Sequence, residues 1–338
     1  ALADAMKADK SVVALGEDLG RGGVFAQYKG LAERFGEGRV IDTPISESAI
    51  MGVGVGMALA GLRPVVELRY CDFAVCAADE VVNQAAKARF MLGGQARVPV
   101  VVRQPIGIWW SSAAQHSQSL EAWYAHVPGL VVVAPATPGD AYGLLRAAIA
   151  NDDPVVFMEH KELWPLRGPV DKKIAPLGKG RVARRGRDVT LVSWSRTLLA
   201  TLEAAASLAE DGIAAEVIDL RTLWPWDKDM VCSSVARTGR LVVAHEAVRA
   251  GGFGAEIAAT VAEDVGDRLK APIRRLGAPR IPVAYAPEME QAALVTAADI
   301  ARAARAACAR RAAGNGTKRT PRVSSSTPQR SNPGGLRP

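Results

Sequence analysis

The chain has 338 residues, of which 49% are apolar and 23% charged, which is the balance of a soluble globular protein. This length suits two domains of ordinary size better than one small domain. No uncharged apolar run reaches the roughly 18 residues that a transmembrane helix needs. The first residues also lack the basic-then-apolar order of a signal peptide. We therefore expect a cytoplasmic protein that does not contact the membrane.

The net charge of +7 comes from one end of the chain, since 42 basic residues exceed 35 acidic ones by seven. Residues 310–338 contain no acid and seven bases: Arg310, Arg311, Lys318, Arg319, Arg322, Arg330 and Arg337. The rest of the chain is neutral, which argues against a nucleic-acid partner, because such a site places its charge on the fold. The Ser-, Pro-, Gly- and Arg-rich composition of residues 310–338 predicts a disordered basic tail.

The first half alternates short apolar runs with helical patterns. Five runs have the length and β-branched content of strands: Val12–Leu15, Val65–Leu68, Val98–Val102, Leu130–Val133 and Val155–Met158. Between the last two, Thr137 precedes Pro138 and Asp140, which is typical of a helix start. This alternation predicts an α/β fold with a mainly parallel sheet covered on both faces.

A stretch rich in Pro, Gly and Lys interrupts the alternation and predicts a linker over residues 166–186. The pattern then resumes with further predicted elements: strands Val189–Trp194, Ala215–Asp219 and Leu241–His245, and helices Thr197–Glu210 and Ala297–Ala309. We therefore expect one α/β domain over residues 1–165 and a second over residues 187–309.

A single carboxylate, Glu47, precedes an apolar helix rich in Gly and Ala, in the segment IDTPISESAIMGVGVGMALAG. In one interpretation Ser46 or Ser48 caps this helix and Glu47 only complements the helix dipole. In the other, Glu47 lies against a cofactor, where burial raises its pKa and allows acid–base chemistry. Spacing alone favours the first interpretation.

The segment AAQHSQS places His116 among hydroxyl and amide side chains, shortly after Trp109 and Trp110. A histidine there can orient a ligand or shuttle protons, or it can be an ordinary loop residue, which position alone favours. The glycine runs contain neither a GxxxxGK(S/T) loop nor a strand–GxGxxG–helix unit, so the sequence offers no nucleotide-binding motif.

Several segments in the same order resemble the β subunits of 2-oxo acid dehydrogenases, which are related to the second and third domains of transketolase. The segments are ALGEDLGRGGVF, RVIDTPISESAI, ELRYCDFAVCAADEVVNQAAKARFMLGGQ, AAQHSQSLEAW, HVPGLVVVAPATPGDAYGLLRAAI, DPVVFMEHKELW, VIDLRTLWPWDKD and TGRLVVAHEA. The resemblance covers residues 1 to about 309 and implies a pyrimidine-binding parallel-sheet domain followed by a transketolase C-terminal-like α/β domain.

The resemblance also implies an activity: oxidative decarboxylation of a 2-oxo acid, or conversion of acetoin, with acyl transfer to a lipoyl acyltransferase. Family members form α2β2 heterotetramers and bind thiamine diphosphate between α and β subunits. The α subunit holds Mg²⁺ through a GDG…N motif, and no GDG occurs here. Two alternatives stay open: a non-catalytic α/β scaffold subunit, and the C-terminal half of a split transketolase.

Specific roles follow from the resemblance, residue by residue. Glu47 resembles the glutamate that bonds the ring nitrogen of the aminopyrimidine. Phe73 corresponds to the aromatic residue packed on that ring, and Ile45 to an apolar wall of the same pocket. His116 resembles the histidine near the reacting carbon that takes part in acyl transfer to lipoamide.

The family often has a monovalent-cation site, here a K⁺ site, built from backbone carbonyl groups. It maps to five residues: Val100, Ala148, Ile149, Asn151 and Asp153. The Asn and Asp of the family's usual order are exchanged in this sequence. A second departure is QPIGIWWSS at residues 104–112, where relatives commonly carry a Gly-rich loop. For this reason the identity of the substrate does not follow from the resemblance.

Overall fold

The structure is a computed structural model that describes residues 1–309. Its strands form two sheets. The strands are β1 Val12–Gly16, β2 Val40–Asp42, β3 Arg63–Glu67, β4 Val101–Ile106, β5 Val131–Val133, β6 Val155–His160, β7 Arg181–Arg184, β8 Val189–Ser193, β9 Ala215–Asp219, β10 Thr222–Trp224, β11 Leu241–Val248 and β12 Arg274–Ala278. The predicted disordered tail, residues 310–338, lies outside the described residues.

Helices cover the faces of both sheets. They are α1 Leu2–Ala8, α2 Leu31–Phe35, α3 Glu47–Leu59, α4 Ala86–Met91, α5 Glu121–Ala125, α6 Pro138–Ala150, α7 Thr197–Glu210, α8 Lys228–Thr238, α9 Gly254–Val265, α10 Pro287–Ala292 and α11 Ala297–Cys308. Among residues 1–309, none of these helices has both the length and the apolar character that a membrane crossing needs.

The first sheet has seven strands in the order β10-β5-β6-β4-β3-β1-β2, and the second has five in the order β12-β11-β8-β9-β7. All neighbouring strands are parallel except β10 against β5 and β7 against β9. The predicted α/β fold with mainly parallel sheets is thus confirmed. The central strands β1, β4, β8 and β9 are buried on both faces, as expected where helices cover each side of a parallel sheet.

Several predicted elements agree closely with the structure. Helix α7 and strand β9 have the predicted bounds, and Thr137 Oγ1 accepts a hydrogen bond from the Asp140 backbone N–H at 3.2 Å at the start of α6. The strand predicted over Val98–Val102 instead begins at Val101 and continues to Ile106. The residues before it are buried but carry no regular strand pairing.

Two short edge strands depart from the predicted organisation. Residues 181–184, placed in the linker, form β7 and pair with β9 of the second sheet. Residues 222–224, placed in the second domain, form β10 and pair with β5 of the first sheet. Both strands have at most four residues, and the sequence Arg181–Arg184 has a charged residue at each end, so neither gives a clear periodic pattern.

Helix α3 packs closely on the first sheet, and one glycine permits that contact. Ile50, Met51 and Val55 belong to the same buried cluster as Val66 of β3. A Cβ atom added at Gly54 would lie 2.6 Å from Val66 Cγ2, so any larger residue would push α3 away from β3. The position of α3, and hence of Glu47 at its start, depends on this glycine.

We expect Gly54→Ala to destabilise the chain by ~1–3 kcal/mol, because an overpacked core must shift to accept the added methyl group. Gly56→Ala is the matched control, since a Cβ at Gly56 meets no atom within 4 Å. That control should be neutral or stabilising by about 0.5–1 kcal/mol, as for other Gly-to-Ala changes inside helices. Guanidinium unfolding of the two variants measures both effects, and equal stabilities would contradict the packing argument.

Candidate functional site

The predicted site residues follow the carboxyl ends of neighbouring parallel strands. In the first sheet β6, β4, β3, β1 and β2 lie side by side. Ile45 and Glu47 follow β2, Phe73 follows β3, and His116 follows β4. In open α/β sheets ligands bind outside the carboxyl ends of strands, so one edge of this sheet carries all four residues in the expected place.

Glu47 begins α3 and is half-buried, and its carboxylate has no hydrogen-bond partner among residues 1–309. Ser46 occupies the N-cap position without a side-chain hydrogen bond. The Ser48 hydroxyl instead donates to the Cys76 carbonyl oxygen at 2.5 Å. The interpretation in which one of these serines caps the helix with its side chain is therefore wrong, and the Glu47 carboxylate is available to a ligand.

The bond from Ser48 to Cys76 joins the start of α3 to the short helical segment Phe73–Ala77. Phe73 in turn contacts His116, with ring centroids 5.1 Å apart. The structure thus places Phe73 beside His116 and connects both to the helix that carries Glu47. Ile45, just before that helix, is 74% exposed and so contributes no wall to a closed pocket within this chain.

Tyr70 completes the contacts around His116. Its ring centroid lies 4.9 Å from that of His116 and 5.3 Å from that of Phe73, both in edge-to-face geometry. Phe25 extends the aromatic group, with its centroid 4.4 Å from Trp164 and 5.6 Å from Trp109. Two aromatic rings therefore contact His116 directly, and Phe25, Trp109 and Trp164 extend this aromatic group through Tyr70.

Lys161, immediately after β6, was not indicated by the sequence as a site residue. Its ammonium group is buried, donates to the His116 carbonyl oxygen at 2.8 Å, and lies 5.1 Å from the centre of the Tyr70 ring. Burial lowers its pKa, while Cys71 and Asp72 oppose that shift. The only available signal was a charged residue directly after an apolar strand, in the segment VVFMEHKELW.

The five residues predicted for a monovalent cation lie at the opposite, amino-terminal edge of the sheet, before β4 and β6 and at the end of α6. Each backbone carbonyl already accepts a hydrogen bond within the chain. The oxygens of Val100, Ala148 and Asp153 accept from Val155 N, Asn151 N and Asn151 Nδ2. Those of Ile149 and Asn151 accept from Arg63 at 3.0 and 2.9 Å.

Arg63 places a positive charge on two of these five carbonyl groups, and its guanidinium also pairs with Asp152 at 2.7 Å. A cation bound there would share ligands with this guanidinium and would use the remaining lone pairs. Each of the five carbonyl groups thus already accepts a hydrogen bond from within the chain, and the cation site stays a prediction.

Comparison with known proteins agrees with this architecture. Residues 1–167 match the family described as the transketolase pyrimidine-binding domain, and residues 178–300 match the transketolase C-terminal domain. These matches, together with the two α/β sheets, define a thiamine-diphosphate enzyme chain of the transketolase-like class.

Closer relatives narrow the class. The β subunit of 2-oxoisovalerate dehydrogenase from Bacillus subtilis is 44% identical over 296 residues, covering 86% of this chain and 90% of the relative. The β subunit of acetoin:2,6-dichlorophenolindophenol oxidoreductase from Cupriavidus necator is 44% identical over 313 residues, covering 89% of this chain and 92% of the relative. The chain belongs to the family of 2-oxo acid and acetoin dehydrogenase β subunits.

Solved structures share the fold at lower identity. A split-gene transketolase, described as an inactive β4 tetramer, superposes with a TM-score of 0.75 at 24% identity, covering 91% of this chain and 95% of that one. Transketolase from Pichia stipitis superposes with a TM-score of 0.68 at 17% identity, covering 89% of this chain and 44% of that one. At these identities the likeness concerns the fold alone.

Glu121, the first residue of α5, ends the segment that carries His116 and is another residue that the sequence did not indicate. Its side chain is 1% exposed, and one carboxylate oxygen accepts from Trp194 Nε1 at 3.1 Å. The other oxygen has no hydrogen-bond partner in the part of the chain that the structure describes. Burial is the main cause that raises the pKa of Glu121 from 4.5 to about 7.

Because the folded-state pKa lies above the ordinary one, Glu121 contributes most stability below about pH 4.5, and this contribution is lost as the pH rises through about 7. Between about pH 4.5 and 7, the free energy of unfolding should fall by up to ~1.4 kcal/mol per pH unit because of Glu121, and Glu121→Gln should remove this dependence. The variant should be more stable than the wild type at pH 8. Unfolding measured at pH 5 and pH 8, with exposed Glu203→Gln as control, tests this, and parallel pH profiles would contradict it.

Proposed function

We propose that this chain is the β subunit of the decarboxylating component of a 2-oxo acid or acetoin dehydrogenase. The reaction is decarboxylation of a 2-oxo acid, or the corresponding cleavage of acetoin, followed by transfer of the remaining fragment to the lipoyl group of an acyltransferase. The lipoyl disulfide is reduced as it accepts the acyl group and is thus the oxidant of the reaction. The observation that carries the proposal is the unbonded Glu47 carboxylate at the sheet edge that also holds Phe73 and His116. Relatives with 44% identity support the choice of reaction class.

The described residues fit the pyrimidine end of thiamine diphosphate. Glu47 offers a carboxylate free to bond a ring nitrogen, and Phe73, on the short helical segment that Ser48 bonds, offers an aromatic face. When bound, the cofactor supplies the electron sink that decarboxylation of a 2-oxo acid requires. The part of Glu47 is to hold and exchange a proton at the ring nitrogen. We assign to His116, whose ring contacts Tyr70 and Phe73, the donation of a proton during acyl transfer.

The surface of α3 supports the need for an α subunit. This helix is apolar on all sides, yet one side is exposed in the chain by itself, with Val53 at 51% and Leu59 at 48%. Phe90 and Met91 at the end of α4 are exposed to 87% and 74%. Apolar surfaces of this kind mark protein interfaces. Glu47 and Ile45 lie beside the exposed side of α3, so a partner bound there would close the pocket.

We propose an α subunit as this partner, in an α2β2 heterotetramer, and assign diphosphate and Mg²⁺ binding to it. Among residues 1–309 no group of three or more His, Cys, Asp or Glu side chains is arranged to hold a metal ion. Both of the relatives described above are themselves named as β subunits. A lipoyl acyltransferase is the proposed acceptor, and the K⁺ site stays a prediction.

The two alternatives are less well supported. A split transketolase shares the fold, but its identity of 24% is far below the 44% of the dehydrogenase relatives. A scaffold without catalysis would have no need for an unbonded carboxylate at the start of α3 or for a histidine fixed among aromatic rings.

The partner requirement predicts that the chain alone binds thiamine diphosphate weakly and decarboxylates no 2-oxo acid. Adding the α subunit should restore both properties. Val53→Glu should prevent assembly by placing a charge on the exposed side of α3, without changing the stability of the free chain. Leu199→Glu, which changes an exposed leucine of α7, is the control and should assemble normally. Micromolar cofactor binding by the chain alone would overturn the proposal of a shared site.

For Glu47→Gln we expect folding and assembly to survive, because Gln has nearly the same volume and can still form a hydrogen bond. Gln cannot exchange a proton with the ring nitrogen, so turnover should fall by ~10²- to 10⁴-fold, the usual range for acid–base catalysis. Cofactor affinity should change much less, since the partner holds the diphosphate.

The measurement is deuterium exchange at the thiazolium carbon of the assembled variant, together with a cofactor titration. Glu33→Gln on α2, an exposed position away from the sheet edge, controls for the loss of one charge. Wild-type exchange in a fully assembled Glu47→Gln enzyme would remove Glu47 from the mechanism.

A further inference from the structure

The segment that carries His116, residues 107–120, connects β4 to α5 without regular structure of its own. Three of its residues have positive φ angles: Trp110 at 50°, Ser111 at 53° and Ala113 at 60°. Residues with a side chain seldom adopt this conformation, and it persists only where surrounding contacts impose it. Contacts with the rest of the chain must therefore hold this segment in place.

Two buried carboxylates from the second half of the chain accept hydrogen bonds from its backbone. Both oxygens of Glu290, on α10, accept from Ser111 N, at 2.9 and 3.1 Å. Glu246, on β11, accepts from Ile108 N at 2.7 Å. Glu290 is 3% exposed and Glu246 is 9% exposed, so water satisfies neither group fully. At the far end of the segment, Lys161 bonds the His116 carbonyl oxygen.

The buried carboxylate of Glu246 is stabilised by contacts other than the one with Ile108. Its carboxylate lies 2.9 Å from His160 Nε2, and Arg196 lies 3.9 Å away. The Nδ1 atom of His160 accepts from Glu162 N at 3.1 Å, so Nε2 carries the proton and donates to Glu246. These contacts connect the two halves of the chain and would stabilise Glu246 even without the bond to Ile108.

Glu290 differs in this respect. Among the described residues, its carboxylate forms no ion pair and accepts from no group except Ser111 N. A buried carboxylate is unfavourable unless its hydrogen bonds compensate for lost water. This one is aimed at a residue in a rare backbone conformation, five positions before His116. We propose that Glu290 is a positioning residue that fixes the His116 segment, an inference whose consequence for catalysis rests on the proposed function.

The expected consequence follows from what the segment does. If His116 acts in acyl transfer, loosening Ser111 displaces the histidine while Lys161 still holds its carbonyl group. A misplacement near 1 Å typically lowers a rate about 10²-fold. Lipoamide-dependent turnover should therefore fall by ~10- to 100-fold, and decarboxylation measured with an artificial electron acceptor should change much less. Glu47 lies on another element, so the earlier step keeps its geometry.

The test compares Glu290→Leu, which removes the acceptor, with Glu290→Gln, which keeps one. Glu288→Gln, an exposed position on the same helix, is the matched control. Hydrogen–deuterium exchange of the peptide covering residues 107–116 is measured in the enzyme assembled with its α subunit and in the chain alone. We expect faster exchange in that peptide for Glu290→Leu, near-wild-type exchange for Glu290→Gln, and no change for Glu288→Gln.

Unchanged exchange at residues 107–116 in Glu290→Leu would overturn the positioning role whatever the activity. Faster exchange with an equal fall in both activity assays, or with no fall in either, would overturn the link to acyl transfer. If Glu290→Leu does not fold, Glu290→Gln still tests the proposal. A large loss of hydrogen-exchange protection at residues 107–116 in that variant would contradict the proposed acceptor role. An error in the proposed function would be distinguishable from this. The wild-type enzyme would then lack lipoamide-dependent turnover, while exchange at residues 107–116 would still increase in Glu290→Leu.

Discussion

The parallel pairing of β6, β4, β3, β1 and β2 is the constraint on which the rest of the site depends. Parallel strands all end at the same edge, so residues far apart in sequence must meet there. Glu47, Phe73 and His116 come from three different connections yet share this edge. The cation residues, which precede their strands or end a helix, lie at the other edge for the same reason.

Helix α3 bears on the proposal that a second chain completes the site at this edge. It is held to the sheet through Gly54 and buries Ile50 and Met51, but its opposite side remains apolar and exposed. A helix that is apolar on all sides is stable in water only when both sides are covered. The same helix therefore sets the place of Glu47 and presents an exposed apolar side next to it. This supports the proposal that the cofactor pocket is shared by two chains.

Much of the fold could be predicted from the sequence, because buried parallel strands and amphipathic helices give strong local patterns. Helix α7, strand β9 and the start of α6 follow directly from such patterns. The edge strands β7 and β10 did not, since each pairs through backbone groups over at most four residues. Their membership of a sheet is decided by tertiary contacts, which is also why the linker boundary at residue 186 does not match the start of β7.

Within the site, the sequence indicated Glu47, Phe73 and His116 through their resemblance to cofactor-binding and catalytic residues of the family. It did not indicate the buried charged residues that contact the segment carrying His116. Lys161, Glu121 and Glu290 act on backbone groups or on buried neighbours, so no motif marks them. Each is a charged or polar group that avoids water, and each touches the segment between β4 and α5 or its end. That segment has no helix or strand to fix it. Side chains from the first and second halves must therefore supply the hydrogen bonds that regular structure would otherwise provide, and this ties the geometry around His116 to the packing of the C-terminal sheet.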